Sequence, residues 1–199
     1  MELRDILNRI HPLPDPSADK ILTVAREVSI KKNTSFIVSD TVCTDIFFIK
    51  TGIVRAYIFG NGREITFWIG EEGSVALSMQ GYINGGRGYE NIATVEDTEA
   101  YRVPGAYLHE LYAKDLHIAN WGRLFAESEI LRAEKNLIPQ LFTTGRERYE
   151  AFLEESPHLL NRVPLEILSS YLGLTPVSLS RVRRKISSGN NKRVFNNKC

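Results

Sequence analysis

The sequence has few of the features on which many classes of protein depend. Its 199 residues include only two cysteines, Cys43 and Cys199, which form no CxxC pair. This argues against a disulfide framework and against a cysteine-ligated cluster. No stretch approaches the roughly 18 uninterrupted apolar residues of a membrane span, and the N-terminal segment lacks the order of a signal peptide. We therefore expect a cytoplasmic protein with no membrane partner.

The motifs of common enzymes are missing as well. No HxH or HxxE pair occurs, and the four histidines lie outside the predicted strands at His11, His109, His117 and His158. This predicts no metal site, because strand-borne metal centres need clustered histidines and carboxylates. G-x-S-x-G, G-x-x-x-x-G-K-S/T and G-x-G-x-x-G motifs are also absent. We expect no catalysis, and the sequence identifies no cofactor.

Acidic residues are absent from the end of the chain. No Asp or Glu follows Glu166, whereas seven basic residues do, and residues 1–166 hold 18 basic against 24 acidic residues. Such asymmetry is typical of a basic module that contacts a polyanion while the acidic body does not. The seven basic residues are Arg181, Arg183, Arg184, Lys185, Lys192, Arg193 and Lys198.

Residues 163–186 predict two short helices joined at Gly173. A glycine just after a periodic apolar run favours the left-handed turn that ends a helix, and Thr175 with Pro176 is typical of the start of the next one. Apolar residues share one face of the second helix, which leaves basic and hydroxyl side chains outward. This arrangement predicts a helix-turn-helix, whose second helix enters the major groove. The alternative is a helical hairpin with a solvated basic face.

The outward residues of the second helix have distinct expected contacts. Arg181 suits a bidentate pair with guanine, and Val177 suits a thymine methyl group. Ser178 and Ser180 suit either base or phosphate, and the remaining cations suit phosphates. The predicted DNA-binding residues are Thr175, Val177, Ser178, Ser180, Arg181, Arg184 and Lys185.

The middle of the chain reads as strands followed by a long helix. Six short β-branched or aromatic runs alternate with glycine turns, and their spacing predicts an antiparallel, barrel-like roll. They cover residues 35–38, 46–50, 53–59, 64–69, 92–95 and 100–103. Residues 107–142 then predict a helix with a kink or end at Pro139. This helix either lies against the roll or pairs with a second copy through Ile118, Trp121, Leu124, Phe125, Leu131 and Ile138.

Three segments, residues 46–57, 92–100 and 172–181, resemble the Crp/Fnr family of bacterial transcription regulators. The resemblance implies an α+β fold: an N-terminal antiparallel β-roll (a double-stranded β-helix like that of cyclic nucleotide-binding domains), a long dimerisation helix and a C-terminal helix-turn-helix. It implies an effector domain at residues 1–142, with the dimerisation helix at about 106–142, and a DNA-binding domain at residues 143–199. A homodimer reading a pseudo-palindrome would follow, with duplex DNA and RNA polymerase as partners.

The sensor part departs from the pattern of family members that bind cyclic AMP. Their glutamate falls near Ala76 or Leu77 here, and Arg87 precedes Gly88 and Tyr89 instead of a hydroxyl residue. This degenerate cassette argues against cyclic AMP and leaves open a small anionic ligand at Arg87, or an arginine that is only solvated. The effector-pocket candidates are Ser74, Ala76, Leu77, Ser78, Arg87, Gly88 and Tyr89.

The DNA-binding part also departs from the family. Val177 stands where the family often has Glu, so the preferred DNA sequence is not transferable. Residues 187–199 are polar and predict a loosely ordered tail, with the family's usual hairpin wing shortened or absent. The rival interpretation is a sensor or docking module whose vestigial helix-turn-helix does not bind DNA.

Overall fold

The computed structural model describes residues 1–60 and 62–195, with side chains as far as Ile186. The chain divides into two compact units, Met1–Glu134 and Lys135–Cys199. The division falls within a long helix, whereas the sequence placed a boundary after residue 142, and that boundary stays a prediction. Each unit is described by itself.

The first unit is a β-roll with helices at both ends of its sequence. Its helices are α1 (Leu3–Ile10), α2 (Asp15–Val24), α3 (Met79–Asn84), α4 (Gly105–Lys114) and the first part of α5 (Leu116–Phe142). Its strands are β1 (Arg26–Ile30), β2 (Ser35–Ile37), β3 (Ile46–Thr51), β4 (Val54–Gly60), β5 (Arg63–Gly70), β6 (Val75–Leu77), β7 (Asn91–Thr94) and β8 (Thr98–Val103).

The strands form two antiparallel four-stranded sheets. The orders are β1-β8-β3-β6 in the first sheet and β2-β7-β4-β5 in the second. All six strands predicted from alternation and turn residues are present with shifts of one or two residues at their ends. β1 and β6 were not predicted. β6 is three buried residues long, so it offers no alternation to detect.

Alternate residues of β3 serve two cores. Phe47 and Ile49 point between the sheets and pack with Val54 and Ile92 of the second sheet. Phe48 points the other way and packs against helices, where the Trp121 ring lies with its centroid 6.2 Å away. Because successive side chains of a strand point to opposite faces of the sheet, the four consecutive buried residues of β3 contribute to both cores.

The predicted long helix consists of two helices separated at Asp115. Asp115 is extended at φ −137°, and its carboxylate accepts hydrogen bonds from the backbone N–H groups of His117 (3.0 Å) and Ile118 (3.3 Å). It thereby satisfies donors that the first turn of α5 would otherwise leave unpaired. Pro139, which the sequence marked as a kink or end, lies inside α5, which ends at Phe142.

Asp115 makes the first unit sensitive to acid. The hydrogen bond from Lys20 Nζ (2.6 Å), more than the one from Ser17, lowers the pKa of Asp115 from 3.8 to about 2. A carboxylate with a lowered folded-state pKa adds stability above its unfolded pKa, and that stability is lost as the pH falls through the folded pKa.

We expect the urea midpoint, followed by tryptophan fluorescence, to fall between about pH 4 and pH 2. In Asp115→Asn the midpoint should start lower and change less across this window, whereas Asp5→Asn, at an exposed site on α1, should behave like the wild type. Equal slopes for the wild type and Asp115→Asn would contradict the assignment.

The second unit holds three helices and a short 3₁₀ helix after the last part of α5. These are α6 (Gly145–Glu155), the 3₁₀ helix Pro157–Asn161, α7 (Leu165–Tyr171) and α8 (Pro176–Phe195). Thr144 and Glu147 form a capping box at the start of α6. The unit's small core contains Tyr149, Phe152, Leu159, Val163, Leu168, Leu172 and Leu179.

The C-terminal segment differs from its prediction. Residues 187–195, expected as a loosely ordered tail, continue α8 as far as Phe195. Once a helix is nucleated, each added residue gains a hydrogen bond without a new nucleation cost, so polar composition alone did not end it. No strand follows α8 within the residues that the structure describes, and residues 196–199 of the predicted tail lie outside them.

Candidate functional site

The turn between α7 and α8 has the geometry predicted from the sequence. Gly173 takes φ +66°, and the N–H of Leu174 donates to the Ser169 carbonyl at 2.8 Å. Thr175 Oγ1 accepts the backbone N–H of Ser178 at 3.1 Å and so caps α8. The left-handed glycine and the hydroxyl cap together fix the start of α8 relative to α7.

α8 buries one face and exposes the other. Leu179 is completely buried under the helix, whereas Val177 is 60% exposed. Of the other predicted DNA contacts, Ser178 and Ser180 are half-buried and Thr175, Arg181, Arg184 and Lys185 are exposed. Arg183 is exposed too. Six of the seven predicted residues therefore lie on the first three turns of α8, and Thr175 immediately precedes that helix.

The hydroxyl groups of Thr175 and Ser178 are hydrogen-bonded to each other. Thr175 Oγ1 donates to Ser178 Oγ at 2.9 Å in addition to accepting from the Ser178 N–H. Thr175 thus caps α8, and its role as a DNA contact stays a prediction. Arg181 and Lys185, by contrast, form no ion pair among the described side chains. They leave the start of α8 with uncompensated positive charge.

Arg148 on α6 supports the turn and was missed by the sequence analysis. Its guanidinium donates to the carbonyls of Leu172 (2.8 Å) and Thr143 (2.5 Å), which joins the end of α7 to the start of α6. Gln140 adds a hydrogen bond to the Tyr171 carbonyl at 3.1 Å. Carbonyl groups at the C-terminal end of a helix lack intrahelical partners, so these hydrogen bonds satisfy acceptors that would otherwise be unpaired. Arg148 lies 24 residues before Leu172, and no local sequence pattern indicates that the two residues are in contact.

The effector-pocket candidates are only partly brought together. Ser74, Ala76, Leu77, Ser78 and Gly88 are buried at or next to β6, whereas Arg87 and Tyr89 are exposed. Arg87 Nη1 donates to the Asp40 carbonyl at 2.8 Å and lies 3.3 Å from the Asp40 carboxylate. Because both of these side chains are largely exposed, Arg87 is held at the surface and away from the buried candidates.

Glu90 is a buried acid beside this loop that the sequence analysis did not single out. It is 3% exposed; its Oε2 accepts the Tyr89 N–H at 3.1 Å, and its Oε1 has no hydrogen-bond partner among the described residues. A Cβ added to Gly88 would lie 2.5 Å from Ser78 Oγ and 3.3 Å from Glu90 Oε1, so the glycine allows this close approach. A buried carboxyl group here is unfavourable for an anionic ligand.

The predicted dimer residues of α5 separate into two groups. Ile118 and Trp121 are completely buried and Phe125 is 7% exposed, because they pack against α1 and the roll in the same chain. These three are corrected from dimer contacts to core residues. Leu124 is half-buried, and Leu131 and Ile138 are 66% and 47% exposed. The other large apolar residues exposed on α5 beyond its first turn are Ile130, Leu137, Leu141 and Phe142.

Two searches of the described residues concern other kinds of site. No group of three or more His, Cys, Asp or Glu side chains within residues 1–60 and 62–195 is placed to hold a metal ion. None of the helices over the same residues is both long and apolar enough to cross a membrane.

Comparison with known proteins identifies the roll. Residues 27–115 match the sequence model of the cyclic nucleotide-binding domain, a segment slightly shorter than half the chain. No curated protein matches the sequence.

Several solved structures share the fold over most of the chain. FixK2 from Bradyrhizobium japonicum is 23% identical with a TM-score of 0.74, covering 84% of this chain and 86% of its own. A protein from Eubacterium rectale assigned to the transcriptional regulators of the Crp/Fnr family is 18% identical, with a TM-score of 0.70 and coverages of 89% and 85%.

The c-di-GMP-responsive global regulator CLP from Xanthomonas campestris is 13% identical, with a TM-score of 0.68 and coverages of 89% and 93%. At these identities the likeness concerns the fold. Residues 27–115 are therefore similar to the cyclic nucleotide-binding domain, and the chain has the fold of the Crp/Fnr structures it resembles.

Proposed function

We propose that the protein is a DNA-binding transcription regulator, and not an enzyme, that reads a pseudo-palindromic site as a homodimer. The observation that carries this proposal is the exposed face of α8. Arg181, Arg184 and Lys185 lie on it in a segment without acids, while Leu179 anchors the helix from below. A helix held by its apolar side and basic on its free side fits the major groove of duplex DNA.

In this proposal, some side chains of α8 contact DNA bases and others contact phosphates. Arg181 lies in the second turn and pairs with guanine O6 and N7, and Val177, one turn earlier, contacts a thymine methyl group. Arg184 and Lys185 neutralise phosphates further along the helix, which fixes orientation without selecting sequence. Thr175 positions these residues through its cap on α8.

The exposed apolar residues of α5 support a second copy as partner. Ile130 and Leu137, like Leu131 and Ile138, are spaced by seven residues, which is the repeat of a paired helix. Isolated exposed Leu or Ile residues are ordinary, but several on one helix at heptad spacing suit an interface. Two copies place two recognition helices about 34 Å apart, one turn of DNA.

The roll serves as the effector domain in this proposal. Its degenerate cassette and the exposed, Asp40-paired Arg87 speak against cyclic AMP as the effector. The buried Glu90 further disfavours any anion placed at Gly88. A ligand acts by binding one of two conformations more tightly and so shifting the population that is competent for DNA. RNA polymerase is the partner through which a DNA-bound dimer would act.

Selection of duplexes from a random pool tests the proposal, and Arg181→Ala tests the reading residue. We expect a palindromic sequence to be enriched, and Arg181→Ala to lose about 1–3 kcal/mol of binding per half-site for the selected base pair. Affinity would be measured by fluorescence anisotropy over a salt titration, because phosphate contacts set the salt slope.

Arg146→Ala is a matched control, since Arg146 is an exposed arginine of the same unit on α6. It should leave base preference unchanged. A loss in Arg181→Ala that is equal for all duplexes would reassign Arg181 to phosphate. No enrichment at all would instead support a docking module with a vestigial helix-turn-helix.

A further inference from the structure

α3 follows the buried Ser78 directly and is tied to α4 by two tyrosines. Ser78 Oγ accepts the Gly81 N–H at 3.3 Å and caps α3, and the hydroxyls of Tyr82 on α3 and Tyr112 on α4 lie 2.9 Å apart. The His109 ring lies beside Tyr82 in a tilted arrangement, with ring centroids 4.5 Å apart. Burial raises the pKa of both tyrosines. Both phenols are therefore neutral, and the hydroxyl pair is an ordinary hydrogen bond at physiological pH.

Glycines bring these tyrosine rings directly onto the neighbouring helices. A Cβ at Gly122 of α5 would lie 2.6 Å from Tyr112 Cε1, and a Cβ at Gly105 of α4 would lie 2.9 Å from Tyr82 Cδ2. Real Cβ atoms do not approach so closely, so the Tyr112 ring packs on the backbone of α5 itself. Closely packed groups transmit displacement because the interior has little free volume to absorb it.

α3 has space on one side. A cavity of about 150 Å³ lies beside it, lined by Thr44, Gly81, Tyr82, Ile83, Gly85 and Ala106, with His109. β6, which precedes α3, is buried along its whole length. α3 is thus held at Ser78 and at Tyr82 but is not packed on every face, and it contacts α4 through the tyrosine pair.

We propose that the Tyr82–Tyr112 hydrogen bond, seated on Gly122, is the mechanical link by which a displacement of α3 reaches α5. Ser78, which caps α3, and Gly88, which packs against Ser78, are two of the effector-pocket candidates, and α5 carries the apolar residues assigned to the dimer. The role of this link rests on the proposed function, because the link would convey effector binding in the roll to the conformation that binds DNA. The coupling between α3 and α5 is a property of the first unit and needs no DNA.

Amide hydrogen exchange of the full chain, read by mass spectrometry, tests the coupling. Tyr82→Phe removes a hydroxyl on α3, and loss of one buried hydrogen bond is expected to speed exchange about fivefold. Faster exchange should occur both in residues 79–84 and in residues 116–128 of α5. Tyr112→Phe should give the same pattern, and the double variant should be no worse than either single one, because both remove the same bond.

Two further variants make the test decisive. Tyr107→Phe is the matched control, a tyrosine on α4 whose hydroxyl makes no hydrogen bond among the described residues, and it should leave both segments unchanged. Gly122→Ala adds a methyl group on α5 that presses on the Tyr112 ring. This change on α5 should therefore alter amide exchange in α3. Unchanged far-ultraviolet circular dichroism checks that each variant is folded.

The coupling is overturned if Tyr82→Phe speeds exchange in α3 alone, or if Tyr107→Phe produces the same changes as Tyr82→Phe. The exchange results do not depend on DNA binding, so they would remain valid if the protein bound no DNA. In the same way, the result of duplex selection would remain valid if the exchange test failed. If both hold, Tyr82→Phe should also change the affinity for the selected duplex, although its site is far from α8 in sequence.

Discussion

Placing two charges on α5, as Leu131→Glu with Ile138→Glu, is expected to convert the protein to monomers and to lower its affinity for the palindrome by roughly 10²–10⁴-fold. Both residues are exposed in the single chain, at 66% and 47%, so the charges are tolerated by the monomer. In a paired helix the same positions face each other across the seam, where like charges are buried together. The loss of affinity arises because the second half-site contact is no longer intramolecular.

Sedimentation velocity measures the first part of this result, with the 22.6 kDa chain as the monomer reference. Leu116→Glu is the control, because Leu116 is 82% exposed but lies at the other end of the same helix, well before the exposed apolar residues that begin at Ile130. It should leave the dimer intact. A double variant that still sediments as a dimer would contradict the role of α5, and a monomer with full affinity would contradict the paired half-sites.

Leu179→Ala is expected to destabilise the second unit by about 2–5 kcal/mol and to abolish DNA binding. Leu179 is completely buried under α8 in a core of few large residues, and neighbouring side chains have little freedom to fill the cavity. Small domains bury little surface, so a loss of this size approaches their whole stability. α8 would lose its fixed position on α7 even where it stays helical.

Two probes separate the units in this experiment. Trp68 and Trp121, the two tryptophans of the chain, both lie in the first unit, so fluorescence follows its urea unfolding while circular dichroism follows all helices. Leu179→Ala should shift the dichroism transition and leave the fluorescence transition unchanged. Val177→Ala, at an exposed position of the same helix, should shift neither. A fluorescence shift equal to the dichroism shift would show that the two units do not unfold separately.

The helices α7 and α8 and the turn between them were predictable because their determinants are local. Gly173 needs a positive φ, Thr175 caps the next helix, and Leu179 lies on the buried face; each acts within a few residues of its place in the sequence. Six strands were predictable for the same reason, since alternation and glycine turns repeat over short distances.

The partner of each apolar face was not predictable. Helical periodicity marked Trp121 and Leu131 alike, but Trp121 is buried against α1 and Leu131 is exposed. Periodicity shows that a face is apolar, and not which element covers it. The side to which Arg87 points likewise depends on its contact with Asp40, which is 47 residues earlier in the chain.

The contacts between the N-terminal helices and α5 also decide how much of this chain can be studied in isolation. Trp121 Nε1 donates to the Leu7 carbonyl at 2.9 Å, and the Asp115 carboxylate is held by Ser17 and Lys20. A truncated sensor cut to the matched residues 27–115 would keep a buried acid and lose its partners, together with the indole that fills the core. A fragment for ligand screens should therefore include α1, α2 and the first part of α5, because a shorter one would lack side chains that fill the core.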